Sequence, residues 1–374
     1  MKSGRKNILI VCETSGTGGA ETVVLHLAQG IDRERFDVKA VLFRDGWLRE
    51  KLEKSGIDTT VIKTSRGYDL GLILNMRRLI KLHSVDVVHS HLPDANAYSV
   101  LASRLAGVPC VVTYHGNINS VSGPADSGGI KLVLVRLLAS KAVAVSDYLR
   151  TEYLLKAGFK PDKTVKIYNG VDWRKFDSSF DRNEKRRKLG YTDDDRIVGI
   201  VANLRPAKGY DYFIEAAARI ARENPNAKFL IAGHEREHIR NKLDSQIESL
   251  GIGDSVQFLG FREDIPELIR CFDLFILSSV TEGLSIATIE AMGAGIPVVV
   301  TASGGPEEIV DDGVTGLIVP IRDADALASG ALRLLGDSDL ATRITDAAKK
   351  SVRERFGSYQ MVEAYQRLYD ECIC

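Results

Sequence analysis

The chain has 374 residues, of which 44% are hydrophobic and 27% charged, and its formal net charge is zero. This balance is typical of a soluble globular protein and argues against a disordered, fibrous or membrane-spanning chain. Because single hydrophobic cores stop growing near about 250 to 300 residues, the length predicts two domains.

Charge is unevenly distributed along the chain. Residues 1–172 carry 24 Lys and Arg against 17 Asp and Glu, whereas the remainder carries 26 against 33. The basic excess of the first half favours an anionic ligand or surface there.

Cysteines and apolar runs bear on the cellular location. The five cysteines lack the paired spacing of metal sites and mostly accompany apolar runs, as buried thiols do in a reducing compartment. The run Ile8–Cys12 is too short for the core of a signal peptide, and no run reaches the roughly 20 residues of a membrane helix. We therefore expect a cytoplasmic protein.

Short β-branched runs alternate with helix-length segments through the first half. The runs are continuously apolar, which is typical of strands buried on both faces of a parallel sheet. Between them, apolar residues recur at helical spacing. The predicted strands are Asn7–Cys12, Asp37–Phe43, Thr59–Lys63, Asp86–Ser90, Pro109–Tyr114, Ala142–Val145 and Thr164–Tyr168, and the predicted helices include Glu21–Ile31, Gly71–His83 and Asn96–Ala106.

The second half repeats this plan after a polar, charge-dense segment, residues 173–195, which we interpret as a linker with solvated charge runs. The predicted strands are Ile197–Ala202, Lys228–Ala232, Val256–Leu259, Leu274–Leu277, Pro297–Thr301 and Gly316–Val319, and the predicted helices are Tyr210–Glu223, Glu237–Leu250, Pro266–Cys271, Ile286–Ala294 and Asp323–Leu335.

This organisation predicts an α/β protein with two doubly wound parallel-sheet (Rossmann-like) domains, residues 1–172 and 196–355. A C-terminal helix over residues 356–374 could cross back to the first domain. Open parallel sheets bind ligands beyond the carboxyl ends of their strands, so we expect the site in a cleft where the two domains face each other.

Two glutamates and a helix start follow the predicted strand Leu274–Leu277. Glu282 lies on the strand-to-helix loop, and Glu290 lies inside the helix that Ser285 is placed to cap. The free main-chain amides at such a helix start bind phosphate, while carboxylates hold neutral hydroxyl groups. The amides concerned are those of Gly283, Leu284 and Ser285.

Two cations follow the first strand of the second half. Arg205 and Lys208 lie three residues apart in Asn-Leu-Arg-Pro-Ala-Lys-Gly, where they can neutralise a leaving diphosphate. Taken alone, either the glutamates or the cations are more typical of solvated surface residues than of a binding site.

A glycine-rich turn separates the first strand from the first helix. Gly16-Thr-Gly-Gly-Ala-Glu21 resembles a dinucleotide fingerprint, but Glu21 occupies the position of its third glycine, which disfavours a nicotinamide cofactor. Gly18 and Gly19 still allow main-chain amides to approach a ligand.

Together these motifs resemble the retaining glycosyltransferases of family 4, which have the GT-B fold. The similarity is densest over residues 278–320, where Glu282 and Glu290 match the family's Glu-x7-Glu element. It extends over nearly the whole chain. The other matching segments are Gly18-Gly19-Ala20-Glu21, Thr113-Tyr114-His115-Gly116, Asn169-Gly170-Val171-Asp172, Arg205 with Lys208-Gly209, and Gly295-Ile-Pro-Val.

The resemblance implies roles for these residues. Glu282 and His115 would contact hydroxyls of the donor sugar, Glu290 the nucleotide ribose, and Arg205 with Lys208 the diphosphate. The first domain would carry the acceptor site and residues 196–355 the nucleotide sugar. We expect a hexosyl-type sugar to pass, with retention, from a nucleoside-diphosphate sugar to a glycan or lipid-linked acceptor in cell-surface polysaccharide or glycolipid synthesis.

The cations and helix amides supply the positive charge that the leaving group needs, so we expect no cofactor and no metal ion. Nucleic acid is not an expected partner. The segment Leu72–His83, with Arg77, Arg78 and Lys81 among Leu and Ile, is typical either of a helix packed on its own sheet or of a face that contacts an anionic membrane at its cytoplasmic side.

Two alternatives remain at this point. A nucleotide-sugar epimerase, or a non-catalytic nucleotide-sugar binder, would share the fold and the donor site. A zinc hydrolase is formally indicated by the His-Glu-x-x-His pattern of His234, Glu235 and His238, although His234 directly follows a predicted strand and is expected to precede the helix.

Overall fold

The computed structural model describes residues 4–64, 69–116 and 128–373. The chain divides into two compact units. The first unit comprises Met1–Gly170 together with Ser358–Cys374, and the second comprises Val171–Gly357.

The first unit is built on a parallel sheet of seven strands in the order β3-β2-β1-β4-β5-β6-β7. Their apolar side chains are almost entirely buried, as the continuous runs in the sequence predict. The strands are β1 (Lys6–Cys12), β2 (Phe36–Leu42), β3 (Asp58–Val61), β4 (Val87–His91), β5 (Cys110–Tyr114), β6 (Lys141–Ala144) and β7 (Thr164–Lys166).

Six α-helices of the described residues belong to this unit. They are α1 (Gly19–Gly30), α2 (Trp47–Lys54), α3 (Leu70–Leu82), α4 (Pro93–Ala106), α5 (Gly128–Leu138) and α13 (Ser358–Ile373). Crossovers between parallel strands are right-handed, so α3, α4 and α5 lie on one face of the sheet, and α1 and α2 lie on the other. The last helix, α13, packs on α1, and its Tyr369 hydroxyl lies 2.7 Å from Nδ1 of His89.

The second unit has a parallel sheet of six strands in the order β10-β9-β8-β11-β12-β13. The strands are β8 (Arg196–Val201), β9 (Ala227–Ala232), β10 (Val256–Gly260), β11 (Leu274–Leu277), β12 (Val298–Thr301) and β13 (Leu317–Val319). The helices are α6 (Arg182–Lys188), α7 (Tyr210–Glu223), α8 (Glu237–Leu250), α9 (Ile265–Arg270), α10 (Ile286–Gly293), α11 (Ala324–Gly336) and α12 (Ser338–Arg355).

Residues 173–195 lie within this second unit. Arg186 on α6 is only 1% exposed, and its guanidinium group donates to the carboxylate of Asp273 at 3.2 Å. The same carboxylate accepts the amide of Ile197 at 2.7 Å. The interpretation of the basic run as solvated surface is therefore wrong for Arg186, because the partly buried carboxylate of Asp273 requires a cation beside it.

Candidate functional site

The candidate site of the second unit lies where the strand order reverses. Strands β8 and β11 are neighbours in the sheet, although they are separated by β9 and β10 along the chain. Their carboxyl ends therefore face the same edge, which is the usual position of a ligand in a doubly wound sheet. The loop after β8 carries Arg205 and Lys208, and the loop after β11 carries Glu282.

Main-chain contacts hold these two loops together. The amide of Val280 donates to the carbonyl oxygen of Ala207 at 2.8 Å. The side-chain hydroxyl of Ser278 donates to the carbonyl oxygen of Lys208 at 2.9 Å. Gly209 has a φ of +62°, and a Cβ atom there would lie 2.1 Å from the Ser278 carbonyl oxygen. Only glycine combines this backbone conformation with so close an approach.

This backbone arrangement brings Lys208 and Glu282 into contact. The Lys208 ammonium group forms an ion pair with Oε2 of Glu282, and the Ser279 hydroxyl donates to the same oxygen at 3.2 Å. The two charged side chains are 23% and 12% exposed. Arg205 lies at the start of the same turn, but it is exposed and forms no ion pair with any residue that the structure describes.

The loop after β12 fixes the glutamate loop from its other side. The amide of Glu282 donates to the Ser303 carbonyl oxygen, and the amide of Gly305 donates to the Glu282 carbonyl oxygen, both at 2.9 Å. A Cβ atom at position 305 would lie 2.2 Å from the carbonyl oxygen of Gly283. A glycine is therefore required at position 305 as well.

Helix α10 begins directly after this loop. The Ser285 hydroxyl accepts the amide of Thr288 at 3.2 Å, which confirms Ser285 as the cap. Within the described ranges of the chain, the main-chain amides of the last three residues before α10 donate no hydrogen bond. These are the amides of Gly283, Leu284 and Ser285. They and the positive end of the helix dipole form a site suited to an anion.

Glu290 lies inside α10, eight residues after Glu282 in the sequence. Burial raises the pKa of its carboxyl group from an ordinary value of 4.5 to about 7, and the charge of Lys175 opposes part of this effect. A carboxyl group with such a pKa changes its charge near neutral pH and is a candidate for contacts with ligand hydroxyls.

In the first unit, Gly18 caps α1 and Gly19 is its first residue. The carboxylate of Glu21 is folded back beneath this turn, where it accepts the Thr14 hydroxyl at 2.6 Å. A Cβ atom at position 18 would lie 2.5 Å from Oε2 of Glu21. The negative charge of Glu21 opposes a phosphate group at this turn, and the contact of Gly18 and Gly19 with a ligand stays a prediction.

A second helix start in this unit is also occupied by a carboxylate. Oε2 of Glu13 accepts the amides of Asp94 at 2.7 Å and Ala95 at 3.3 Å, at the first turn of α4. Burial raises the pKa of Glu13, since the desolvation of its carboxylate outweighs these two hydrogen bonds. Helix α4 follows the strand beside β1, just as α10 follows the strand beside β8, so an internal carboxylate occupies in the first unit the helix start that is open in the second.

His115 follows β5 and is hydrogen bonded to His91, which ends the adjacent strand β4. Nε2 of His115 lies 2.9 Å from Nδ1 of His91, and the two rings stack at 5.2 Å. Burial lowers the pKa of His115 to about 4 and that of His89 to about 3, so both rings are neutral at pH 7. The sequence did not favour His91 as a site residue, although it stands at the end of a strand next to the one that precedes His115.

The zinc pattern does not form a helical pair. His234 and Glu235 precede α8, and the His234 ring stacks on Phe261 at 4.7 Å. Glu235 forms an ion pair with Arg240 at 2.7 Å. Among the residues that the structure describes, no group of three or more His, Cys, Asp or Glu is arranged to hold a metal ion. The geometric basis of the zinc hydrolase alternative is therefore lost.

Known proteins resemble the chain over both units. A family profile for glycosyl transferases group 1 matches residues 181–351, and a profile for glycosyltransferase family 4 matches residues 17–175. The alpha-D-kanosaminyltransferase of Streptomyces kanamyceticus is 31% identical over 291 residues, which cover 74% of this chain and 75% of that protein. The chain belongs to the group 1 glycosyltransferases.

This glycosyltransferase also resembles proteins over nearly its full length. It is 27% identical over 370 residues to the UDP-Gal:alpha-D-GlcNAc-diphosphoundecaprenol alpha-1,3-galactosyltransferase of Escherichia coli, with 95% of this chain and 94% of that protein covered. The crystal structure of Anabaena HepE with UDP and glucose matches with a TM-score of 0.89 at 27% identity, covering 98% of this chain and 100% of HepE. These matches confirm the predicted fold class, GT-B with two doubly wound parallel-sheet units.

Proposed function

We propose that this glycosyltransferase moves a hexosyl-type sugar from a nucleoside-diphosphate sugar to a glycan or lipid-linked acceptor, with retention of anomeric configuration. The observation that carries this proposal is the contact between Lys208 and Glu282 beside the open start of α10. A cation, a carboxylate and free amides on adjacent loops match the phosphate and hydroxyl groups of such a donor.

The donor site is assigned to the second unit. Lys208, Arg205 and the amides before α10 would bind the diphosphate, Glu282 the sugar hydroxyls, and Glu290 the ribose. The internal carboxylates Glu13 and Glu21 support this assignment, because they disfavour a diphosphate at the helix starts of the first unit.

Uridine is the proposed base of the donor. HepE has been crystallised with UDP-glucose as well as with UDP and glucose, and the Escherichia coli relative is named for UDP-galactose. The similarity covers 98% of this chain for HepE and 95% for the Escherichia coli protein.

The chemistry is stabilisation of a leaving group. When the bond between the anomeric carbon and the diphosphate oxygen breaks, the electron pair leaves with the diphosphate, and the sugar ring gains positive character. Arg205, Lys208 and the α10 amides would stabilise the departing charge more strongly than the bound donor, which lowers the barrier. Because these groups supply the positive charge, the proposal requires no metal ion.

Retention follows if the acceptor attacks from the face that the diphosphate leaves. The acceptor oxygen forms the new bond to the anomeric carbon, and its proton passes to the departing phosphate. No side chain of the protein is assigned as a general base. His115, which is neutral at pH 7, would position a sugar hydroxyl near the reacting carbon.

Turnover of UDP-sugars tests the function. We expect UDP release from one of a panel of UDP-hexoses in the presence of EDTA, and early proton NMR spectra should show that sugar transferred to water or an acceptor keeps its anomeric configuration. Inversion, or strict dependence on a divalent ion, would contradict the mechanism. Isomerisation of the UDP-sugar without transfer would indicate that the protein is an epimerase. Binding of the UDP-sugar without turnover would indicate a non-catalytic nucleotide-sugar binder.

A further inference from the structure

The helix layer formed by α3, α4 and α5 leaves an unusual number of apolar side chains in solvent. Of the large hydrophobic residues that are exposed in the described part of the chain, most lie on these three helices. They are Leu70, Leu74 and Leu82 on α3, Leu105 on α4, and Ile130, Val133 and Leu137 on α5. Leu70 is 72% and Leu137 is 63% exposed.

These side chains are arranged on faces rather than scattered. Leu70 and Leu74 are four residues apart on α3, and Ile130, Val133 and Leu137 follow helical spacing on α5. The opposite face of α3 is buried in its own unit through Leu72, Ile73, Met76 and Ile80. The sequence of Leu72–His83 left two interpretations, a helix packed on its own sheet or a membrane-contacting face. Packing on the sheet accounts only for the inner face of α3.

The three helices form a continuous surface. Helix α3 packs on α4, and α4 packs on α5, within the layer on one face of the first sheet. The Arg77 guanidinium group donates to the carbonyl oxygen of Leu105 at 3.1 Å, which joins the exposed residues of α3 to those of α4.

The charge of this surface is strongly positive. The basic residues of the three helices are Arg77, Arg78, Lys81, Arg104, Lys131 and Arg136, whereas their only acidic residue in the sequence is Asp94. Asp94 is already paired with Lys131 at 2.7 Å. Exposed leucines among basic residues that outnumber the one acidic residue match a bilayer surface with anionic headgroups, which offers apolar depth and negative charge together.

We propose that the outer surface of α3, α4 and α5 docks on an anionic membrane. The docking is peripheral, since no helix of the described residues is long and apolar enough to cross a bilayer. The membrane-docking proposal rests on the proposed function in one respect. A lipid-linked acceptor would reach the enzyme from the membrane that this surface contacts. The leucines enter the headgroup region, and the arginines and lysines contact lipid phosphates.

Vesicle co-sedimentation of the full chain tests the docking surface. We expect the protein to sediment with phosphatidylcholine vesicles that contain phosphatidylglycerol, more weakly with phosphatidylcholine alone, and less as salt is raised. The triple variant Arg78→Gln, Lys81→Gln, Arg104→Gln should bind about 100-fold more weakly, at roughly a fivefold loss per charge. The double variant Leu74→Ser, Leu137→Ser should also lose binding.

Matched variants on the second unit serve as controls. Arg343→Gln, Lys349→Gln, Lys350→Gln removes the same charge from exposed positions of α12, and Val314→Ser removes an exposed apolar side chain. Neither control should change vesicle binding. Equal losses in the controls and in the α3–α5 variants would overturn the proposal, because net charge alone would then explain the binding.

Two further measurements separate the other outcomes. A dimer in sedimentation velocity that Leu74→Ser, Leu137→Ser converts to monomer, without vesicle binding by either form, would assign the surface to a second copy and overturn the proposal. UDP binding in solution is measured in parallel. Vesicle binding without UDP binding contradicts the proposed function alone, and UDP binding without vesicle binding overturns the docking surface alone.

Discussion

Lys208 forms an ion pair with Glu282 across two loops that are far apart in the sequence and adjacent in the sheet. The pair places a positive charge and an acceptor oxygen at the switch point between β8 and β11. If Lys208 stabilises the departing diphosphate, Lys208→Ala should lower kcat for UDP-sugar turnover by about 100- to 1,000-fold. Lys242, an exposed lysine paired with Asp211 on the same unit, provides the control. A similar loss in Lys242→Ala would remove the special role of Lys208.

The contact between Gly209 and Ser278 predicts a large effect for one added methyl group. Gly209→Ala should lower the melting temperature by several degrees and abolish the thermal stabilisation by UDP, because the Cβ atom must displace the loop after β11. Gly251 has a similar φ of +68°, with nothing within 4 Å of its Cβ position. Gly251→Ala should therefore cost only about 1 kcal/mol of backbone strain and leave UDP binding unchanged. Equal effects of the two variants in thermal unfolding would contradict the contact.

The raised pKa of Glu290 predicts two opposite dependences on pH. Because the folded-state pKa, about 7, exceeds the ordinary 4.5, the free energy of unfolding should fall as pH rises through this window. UDP binding should strengthen over the same window, since an ionised carboxylate is the better acceptor for ribose hydroxyls. Glu290→Gln should flatten both profiles, whereas the exposed Glu248→Gln should leave them unchanged. A wild-type binding profile that is flat between pH 5 and 8 would contradict the ribose contact.

Buried Arg186 should be essential to the stability of the second unit. Arg186→Ala removes the buried partner of the Asp273 carboxylate, which keeps its ion pair with Arg182 at 2.7 Å, and should lower the free energy of unfolding by about 2 to 3 kcal/mol. The next residue, Arg187, is exposed on the same helix, and Arg187→Ala should be nearly neutral. Trp173 is the second unit's only tryptophan, so its fluorescence in urea reports this unit in a Trp47→Phe background. Equal midpoints for the two arginine variants would show that the ion pair adds nothing.

Apolar periodicity and the alternation of strands with helices carried much of the fold prediction. Every predicted strand is present, because both-face burial requires continuous apolar runs that are visible in the sequence. The nearness of Lys208 and Glu282 was also predictable, since both follow strands that end at the same sheet edge. Their direct pairing was not, because it depends on the close approach of Gly209 to Ser278.

Two buried contacts that the sequence did not indicate share a physical cause. The partner of Arg186 lies 87 residues away in Asp273, and the partner of Tyr369 lies 280 residues away in His89. Local patterns carry no information on such contacts. Helix α6 is also short and lacks an apolar face, so the buried side of Arg186 left no periodic signal in residues 173–195. Nor did periodicity indicate α2, whose inward face consists of only Leu48 and Leu52.

Calorimetric titration of UDP into the protein in EDTA tests most directly the claim that the second unit holds a nucleoside diphosphate. We predict saturable binding at one site, which a single Arg205→Ala substitution weakens at least tenfold, corresponding to about 1.4 kcal/mol. The absence of binding at millimolar UDP, or binding that Arg205→Ala and Gly209→Ala leave unchanged, would contradict it.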